Sequence, residues 1–98
     1  MARHGPGMEW RLFADLAETA GTRRVEVVDG GIETVADALD ALLEAHPALR
    51  ERVLDDDGEL ATHVNVLHNG EGIHHGDGLE TPVEAGDELA LFPPVSGG

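Results

Sequence analysis

The sequence predicts an α+β fold in which a mixed sheet packs against one main helix. Two observations carry this prediction. Short stretches alternate apolar and polar residues with a period of two, as half-buried strands do, at residues 8–12 and again at 63–67. Between them, apolar residues recur from Val35 to His46 at spacings of four, seven, eight and eleven, which is one face of a helix. The 98 residues leave room for one domain with a single modest core.

The first part of the chain is predicted to hold two strands and a short helix. The first strand begins at Met8 and extends through Ala14. Residues 15–20 form one or two turns of helix, closed by Gly21, where a helix end needs a left-handed residue. Residues 23–28 alternate again and form the second strand.

The main helix is predicted to begin after Thr34 and to end at His46. Thr34 is followed three residues later by Asp37, which resembles a capping box with Asp in place of the usual Glu. Pro47 makes helical backbone unfavourable at His46, so the helix stops there. Residues 48–54 form a further turn.

The second part of the chain is predicted to add three strands. Residues 63–67 alternate, and the following Asn69-Gly70 pair is a strong signal for a tight hairpin turn. Residues 71–73 form a short return strand, and 74–82 form a loop. The apolar run at residues 89–92 is the last strand.

The main helix, laid across one face of this sheet, is predicted to bury one common core. Its members are Trp10, Leu12, Val25, Val27, Leu39, Leu42, Leu43, Val64, Val66, Leu89 and Leu91.

The acidic loop at residues 55–59 invites a calcium interpretation, but the EF-hand spacing would place Val53 and Val64 at ligand positions. We therefore interpret it as a solvated turn.

The composition is acidic and contains no lysine. There are 20 acidic and 6 basic residues, all of the latter arginine, and the net charge is −14. Such a chain repels phosphate backbones and anionic lipid, which argues against nucleic acid and membrane partners. An acidic, lysine-free surface resembles that of proteins from salt-in halophiles.

The absence of cysteine excludes disulfides and thiolate sites. No apolar run approaches the roughly 18 residues that span a bilayer, and we expect a cytoplasmic protein.

The end of the chain combines three physical parts. The strand at residues 89–92 is stopped by Pro93 and Pro94, which cannot donate to a sheet and leave the fold as a stiff extended spacer. Gly97 and Gly98 follow without a Cβ, so a terminal carboxylate can enter a channel too narrow for other residues. This arrangement suits a carboxylate that is offered to another protein's active site.

This end resembles that of the β-grasp ubiquitin-like proteins, most closely the MoaD and ThiS sulfur carriers and the small archaeal modifier proteins. The resemblance runs from Met8 to Gly98 and implies a β-grasp fold. Residues 1–7 show no periodicity and are expected to be a disordered leader. We expect the ubiquitin-like domain at residues 8–94 and a flexible reactive tail at 95–98.

The resemblance implies that the chain is not an enzyme but is acted on by one. An E1-like enzyme with bound ATP adenylates Gly98, and Gly97 gives clearance to the backbone. The acyl group then passes to a lysine of a target protein as an isopeptide, or to sulfur as a thiocarboxylate. The nucleotide and metal sites belong to the partner, so this chain needs no cofactor.

Three functional classes follow. The first is a protein modifier that also acts as a sulfur carrier. The second is a dedicated MoaD-like sulfur carrier, the small subunit that joins the large subunit of molybdopterin synthase in molybdenum cofactor biosynthesis, or a donor for tRNA thiolation. The third, a plain protein-binding module, needs no reactive end and is disfavoured by the diglycine.

The sheet face opposite the helix is predicted to dock the activating enzyme. Leu67, Ala90 and Phe92 point to that face if their strand neighbours point inward, and an exposed apolar patch tends to mark an interface. The alternative is that the N-terminal segment or a loop covers them. The chain that follows them completes the predicted partner-binding set, with Pro93, Pro94, Val95 and Ser96.

Other chemistry finds little support in the sequence. His74, His75 and Asp77 carry metal-binding groups, but adjacent loop residues seldom converge on one ion and no third histidine has a suitable spacing. We expect no metal site. Ser96 is the only serine and has no base fixed beside it, so a serine nucleophile is unsupported.

Overall fold

The computed structural model describes residues 7–28, 31–61, 64–73 and 76–93. The predicted leader, apart from Gly7, and the predicted tail at 95–98 lie outside these residues. The strands are β1 (Gly7–Leu12), β2 (Arg24–Val28), β3 (Asn65–His68), β4 (Glu71–Gly72) and β5 (Glu88–Phe92). The α-helices are α1 (Asp15–Ala20), α2 (Val35–Ala45) and α3 (Arg50–Val53), and short 3-10 helices lie at Pro47–Leu49 and Gly78–Glu80.

The five strands form one mixed sheet in the order β2-β1-β5-β3-β4. β5 lies at its centre, parallel to β1 and antiparallel to β3. β1 is antiparallel to β2, and β3 turns back into β4. The helix α2 packs on one face of the sheet, so the predicted α+β architecture is confirmed.

The core lies between this face and α2. All of the residues predicted to form it are buried, and Trp10 has no exposed surface. The indole Nε1 of Trp10 donates a hydrogen bond to the Ala38 carbonyl oxygen at 3.0 Å, which ties β1 to the middle of α2. Residues outside the predicted set extend the core beneath the loops and the short helices, among them Leu16, Leu49, Val53, Ile73 and Val83.

The first strand differs from its prediction at both ends. It begins one residue earlier, because Gly7 already pairs with Val28. Its predicted extension through Phe13 and Ala14 is wrong, since the strand ends at Leu12. The physical reason is the backbone of Ala14, whose φ of 56° and ψ of −134° turn the chain out of the strand and into α1. The left-handed Gly21 that closes α1 is confirmed, with φ 81°.

The predicted capping box is confirmed at the start of α2. The Thr34 hydroxyl accepts from the Asp37 N–H at 3.3 Å, and Asp37 Oδ2 accepts from the Thr34 N–H at 3.3 Å. These bonds satisfy donors that the first helical turn leaves free. The helix ends at Ala45 with His46 as its C-cap, one residue before the predicted end.

Two loops show why the local sequence folds as it does. Asn69 and Gly70 have φ of 51° and 88°, the pair of positive values that a tight type I′ hairpin turn requires, so the predicted turn is confirmed. In the acidic loop, Asp55 Oδ1 accepts from the N–H groups of Asp57 and Glu59 at 2.9 and 3.0 Å. The first carboxylate of this loop therefore organises its own turn.

The fold is expected to become more stable as salt rises. Within the described ranges, the arginine ion pairs are exposed and join Arg11 to Glu88, Arg24 to Glu9 and Arg52 to Asp15. Such pairs contribute about 0–1 kcal/mol each, and the net charge of −14 remains after all six arginines have been counted. Sodium chloride, from low to molar concentration, should raise the midpoint of thermal unfolding measured by circular dichroism, because it screens like-charge repulsion.

A flat midpoint across that range would remove the main support for the halophile interpretation. Sulfate salts should be avoided in this test, because their exclusion from the protein surface stabilises folded proteins by another route.

Candidate functional site

The predicted reactive end leaves the fold from the central strand. β5 ends at Phe92, and Pro93 follows as a half-buried residue. The predicted site residues Pro94, Val95, Ser96, Gly97 and Gly98 lie outside the described residues, so their predicted roles stay predictions. The structure therefore defines the base of the tail and the surface around it.

Three predicted partner-binding residues lie side by side on the sheet face opposite α2. Leu89 and Leu91 have no exposed surface, which places their strand neighbours Ala90 and Phe92 on the other face. Leu67 of β3 is the register partner of Ala90. Leu67, Ala90 and Phe92 are each half-buried. The geometry that the docking prediction required is therefore present.

Phe13 joins this face and was missed from the sequence. Its ring stacks on Phe92 with centroids 4.2 Å apart and planes 8° apart. At 38% exposure, it is the exposed large hydrophobic residue of the described part of the chain. Strand alternation could have found it, because Leu12 points inward and the next side chain must point outward. Phe13, Leu67, Ala90 and Phe92 are called the apolar patch below.

Phe13, which lies between β1 and α1, covers one face of the Phe92 ring, and the alternative that the N-terminal segment or a loop covers the patch stays a prediction. Ala14 has a positive φ that residues with a Cβ rarely adopt, and such a conformation costs roughly 1–3 kcal/mol. This turn carries the chain from β1 into α1 directly after Phe13.

A row of charged side chains borders the apolar patch on its β1 side. Arg11 is the register partner of Ala90, and its Nε lies 2.9 Å from Glu88 Oε2. The pair is close, but it lacks the alignment of a hydrogen bond, and Arg11 Nε is buried without a hydrogen-bond partner among the residues that the structure describes. On the neighbouring strand β2, Arg24 Nη1 lies 3.9 Å from Glu9 Oε2 of β1. The patch thus has an apolar centre and a charged rim, as protein interfaces do.

The opposite end of β5 is held by a cluster around Asp87. Asp87 Oδ2 lies 2.7 Å from His68 Nε2 and accepts from the Glu84 N–H at 2.8 Å, while Oδ1 accepts from the Asn69 amide at 3.2 Å. Burial alone would raise the pKa of Asp87, but these hydrogen bonds outweigh it and lower the pKa below the ordinary range. Asn69 also accepts from the Glu88 N–H at 2.9 Å, which fixes the β3–β4 turn to the start of β5.

The lowered pKa predicts an acid-sensitive contribution to stability. Because folding depresses the pKa of Asp87, its contribution is fully present above the pKa of an unfolded aspartate and is lost as pH falls through the folded pKa. Asp87→Asn should lower the free energy of unfolding by about 1.5–3 kcal/mol at neutral pH. The difference in free energy of unfolding between Asp87→Asn and the unmodified chain should become smaller below about pH 4. Urea unfolding at a series of pH values measures the free energy of unfolding of both proteins.

The control is Asp56→Asn, which removes an exposed carboxylate that makes no hydrogen bond among the described residues. The free energy of unfolding of Asp56→Asn should stay close to that of the unmodified chain at neutral pH. If the difference in free energy of unfolding between Asp87→Asn and the unmodified chain stays constant from neutral pH into acid, the pKa of Asp87 is not lowered by folding.

His74 and His75 lie outside the described ranges, so the expected absence of a metal site stays a prediction. Among the residues that the structure does describe, no group of three histidine or carboxylate side chains could hold an ion. Likewise, none of the described helices has the length and apolar character needed to cross a membrane.

Comparisons with known proteins agree with this architecture. The profile of the ThiS family matches residues 10–98. The chain is 64% identical over 91 residues to small archaeal modifier protein 1 of Haloferax volcanii, which covers 93% of this chain and 100% of that protein. The crystal structure of SAMP1 from Haloferax volcanii superposes with a TM-score of 0.85 at 63% identity, covering 94% of this chain and 99% of that one.

Two more distant relatives bear on function. One is a proposed sulfur carrier protein of Archaeoglobus fulgidus, 42% identical over 48 residues, which are 49% of this chain and 54% of that protein. The other is a chain in the crystal structure of the BexX/CysO complex of Amycolatopsis orientalis, with TM-score 0.78 and 27% identity over 93% of this chain and 99% of that one. Together these matches confirm the predicted β-grasp fold and the resemblance to ubiquitin-like proteins.

Proposed function

This chain belongs to the ThiS family, and from that membership we propose that it is a ubiquitin-like modifier whose C-terminal glycine is joined to lysines of target proteins. The observation that carries the proposal is 64% identity over the full length of small archaeal modifier protein 1. The chain is not itself an enzyme. We further propose that it acts in the cytoplasm and serves as a sulfur carrier through a C-terminal thiocarboxylate.

The proposed chemistry begins with activation of the Gly98 carboxylate, because a carboxylate oxygen is a poor leaving group. An E1-like enzyme binds ATP, the carboxylate attacks the α-phosphorus, and pyrophosphate leaves. The amine of a target lysine then attacks the acyl-adenylate, AMP leaves, and an isopeptide bond forms. Gly97 and Gly98 suit this step because a backbone without Cβ atoms can enter a narrow channel.

The apolar patch is the proposed docking surface for the activating enzyme. Three facts support this role: the patch lies on the face opposite α2, it contains the aromatic pair Phe13 and Phe92, and Phe92 is the last strand residue before the tail. Aromatic side chains at the centre of a patch commonly carry much of the binding energy. An enzyme held there would meet the tail directly, with Pro93, Pro94, Val95 and Ser96 leading into its active site.

The test is mass spectrometry of the protein purified from its own host. Peptides in which Gly98 is linked to a target lysine would support the modifier function. Intact protein with sulfur in place of one terminal oxygen would support the carrier function. If neither product forms when the host's E1-like enzyme and ATP are present, the proposal is wrong.

A dedicated sulfur carrier is the second candidate. The observation that favours it is 42% identity to a proposed sulfur carrier protein over about half of the chain. In this case the chain would act as the small subunit of molybdopterin synthase, or as a donor for tRNA thiolation. Thiocarboxylate without any branched peptide, together with co-purification of a molybdopterin synthase large subunit, would favour this candidate over the modifier.

The absence of lysine predicts that conjugates carry single copies. Chains of a modifier grow when the terminal glycine of one copy joins a lysine of the next, and this sequence has no lysine. Arginine cannot replace it, because a guanidinium with a pKa above about 12 stays protonated and is not nucleophilic. We expect each target lysine to carry one copy, so that gel ladders reflect several modified lysines of one target. Sequencing of peptides from purified conjugates checks this, and Gly98 joined to the N-terminal amine of another copy, the remaining amine of this chain, would contradict it.

A further inference from the structure

A cleft beside the apolar patch is not used by the function proposed above. It lies where β1 passes into α1 and where the chain enters β2, and its volume is about 460 Å³. Leu12, Phe13 and Ala17 give it an apolar floor and wall. Because Phe13 belongs both to this cleft and to the apolar patch, the two surfaces are continuous.

Three of the chain's six arginines line this cleft: Arg11, Arg23 and Arg24. A single carboxylate, Glu18, lines it with them. Glu88 and Glu9, the ion-pair partners of Arg11 and Arg24, lie beside it, so the cleft and its border are close to neutral on a chain with a net charge of −14. The three arginines and Phe13 define the arginine cleft.

Two arginines of the cleft have guanidinium groups that could still bind a carboxylate. Within the described residues, Arg23 is exposed and makes no ion pair, and Arg24 has its partner carboxylate at a loose 3.9 Å. Arg11 is already paired with Glu88 at 2.9 Å and its Nε is buried, so the binding capacity lies with Arg23 and Arg24. Guanidinium groups bind carboxylates through paired, parallel hydrogen bonds, so these groups are suited to an incoming acidic side chain.

We propose that the arginine cleft binds a carboxylate-bearing segment of the activating enzyme, with an apolar side chain of that segment packed against Phe13. The identity of this partner rests on the proposed function, whereas the chemistry of the cleft does not. Charge complementarity selects the occupant: a short acidic segment matches Arg23, which has no ion pair among the described residues, and Arg24, which has only a loose one. A second copy of this chain, or a nucleic acid, would bring a large like charge towards the rest of the molecule. Contact pairs in a cleft also persist in high salt, where longer-range repulsion is screened.

The first experiment titrates the full chain with an acetylated Glu-Asp-Phe-Asp-Glu peptide and follows backbone amide signals by NMR. In about 1 M sodium chloride, where the Debye length is about 3 Å, the amides of Phe13, Arg23 and Arg24 should shift. The matched peptide Gln-Asn-Phe-Asn-Gln should leave them unchanged. Equal shifts with both peptides, shifts elsewhere on the surface, or shifts on dilution of the chain alone would overturn the proposal.

Matched variants separate the cleft from general electrostatics. Arg23→Gln and Arg50→Gln each remove one positive charge, and both arginines are exposed without an ion pair among the described residues, but Arg50 lies outside the cleft. Arg23→Gln should weaken peptide binding about fivefold or more, the loss of a charge-assisted hydrogen bond. Arg50→Gln should change it less than twofold. Equal effects of the two variants would overturn the proposal.

The partner is tested by the adenylation kinetics of the host's E1-like enzyme. With Arg23→Gln, the KM for this chain should rise about fivefold and kcat should stay unchanged, because Arg23 contributes to binding and is not part of the reacting tail. An unchanged KM would show that the enzyme does not use the cleft. If the unmodified chain is not adenylated at all, the proposed function and the partner's identity fail together, while the peptide titration still decides what the cleft binds.

Discussion

Replacing Gly98 with valine is expected to abolish both proposed products, the isopeptide conjugates and the thiocarboxylate. A β-branched side chain at the reacting residue widens the tail at the point where a narrow channel must close around it. A misplacement of about 1 Å at a reacting carbonyl costs on the order of a hundredfold in rate. Adenylation of the Gly98→Val chain by the E1-like enzyme, followed by mass spectrometry, measures the loss.

The matched control is Gly76→Ala. Gly76 lies in a loop, and apart from its chain neighbours a Cβ there would meet no atom of the described residues within 4 Å, so this variant should react like the unmodified chain. The thermal midpoint of Gly98→Val should also be unchanged, which separates a reactive defect from a folding defect. Adenylation of Gly98→Val at the unmodified rate would show that the terminal residue does not enter a confined site.

Replacing Trp10 with alanine is expected to lower the free energy of unfolding by about 3–5 kcal/mol. Trp10 has no exposed surface, and the substitution leaves a cavity between β1 and α2 and removes the bond to the Ala38 oxygen. Domains of this kind are stable by about 5–15 kcal/mol, so the variant would be close to unfolding. Urea unfolding followed by circular dichroism is the appropriate measurement, because Trp10 is the only tryptophan and its fluorescence is lost with it.

Phe13→Ala serves as the control, since it also removes an aromatic ring. Phe13 is 38% exposed, and its stacking on Phe92 accounts for about 0.5–1.5 kcal/mol. The free energy of unfolding should therefore fall several times less in Phe13→Ala than in Trp10→Ala. Similar losses for the two variants would mean that the core is not organised around Trp10.

Much of the fold could be predicted because its signals are local. The alternation in β1, the Thr34 and Asp37 capping box and the Asn69-Gly70 turn each depend on residues a few positions apart. Backbone geometry determines these patterns almost alone. The same alternation identified Ala90 and Phe92 as members of one face.

The features that escaped prediction depend on contacts between distant residues or on unusual backbone. The cluster at Asp87 joins residues 19 positions apart, and no sequence period marks such a pair. The positive φ at Ala14, directly after Phe13, occurs at a residue type that does not signal such a turn. The arginine cleft gathers Arg11 of β1 with Arg24, the first residue of β2, and with Arg23 just before it, and it exists only once the two strands pair.

The central position of β5 also determines how the molecule responds to mechanical force. A pull on the tail acts along the axis of a strand that is bonded to β1 on one side and to β3 on the other. The hydrogen bonds run across that axis, so the load shears both ladders together and cannot open them one bond at a time. A molecular machine that drags this protein by its tail would therefore meet resistance from the whole centre of the sheet, whereas a pull on the two-residue edge strand β4 would meet a single short ladder.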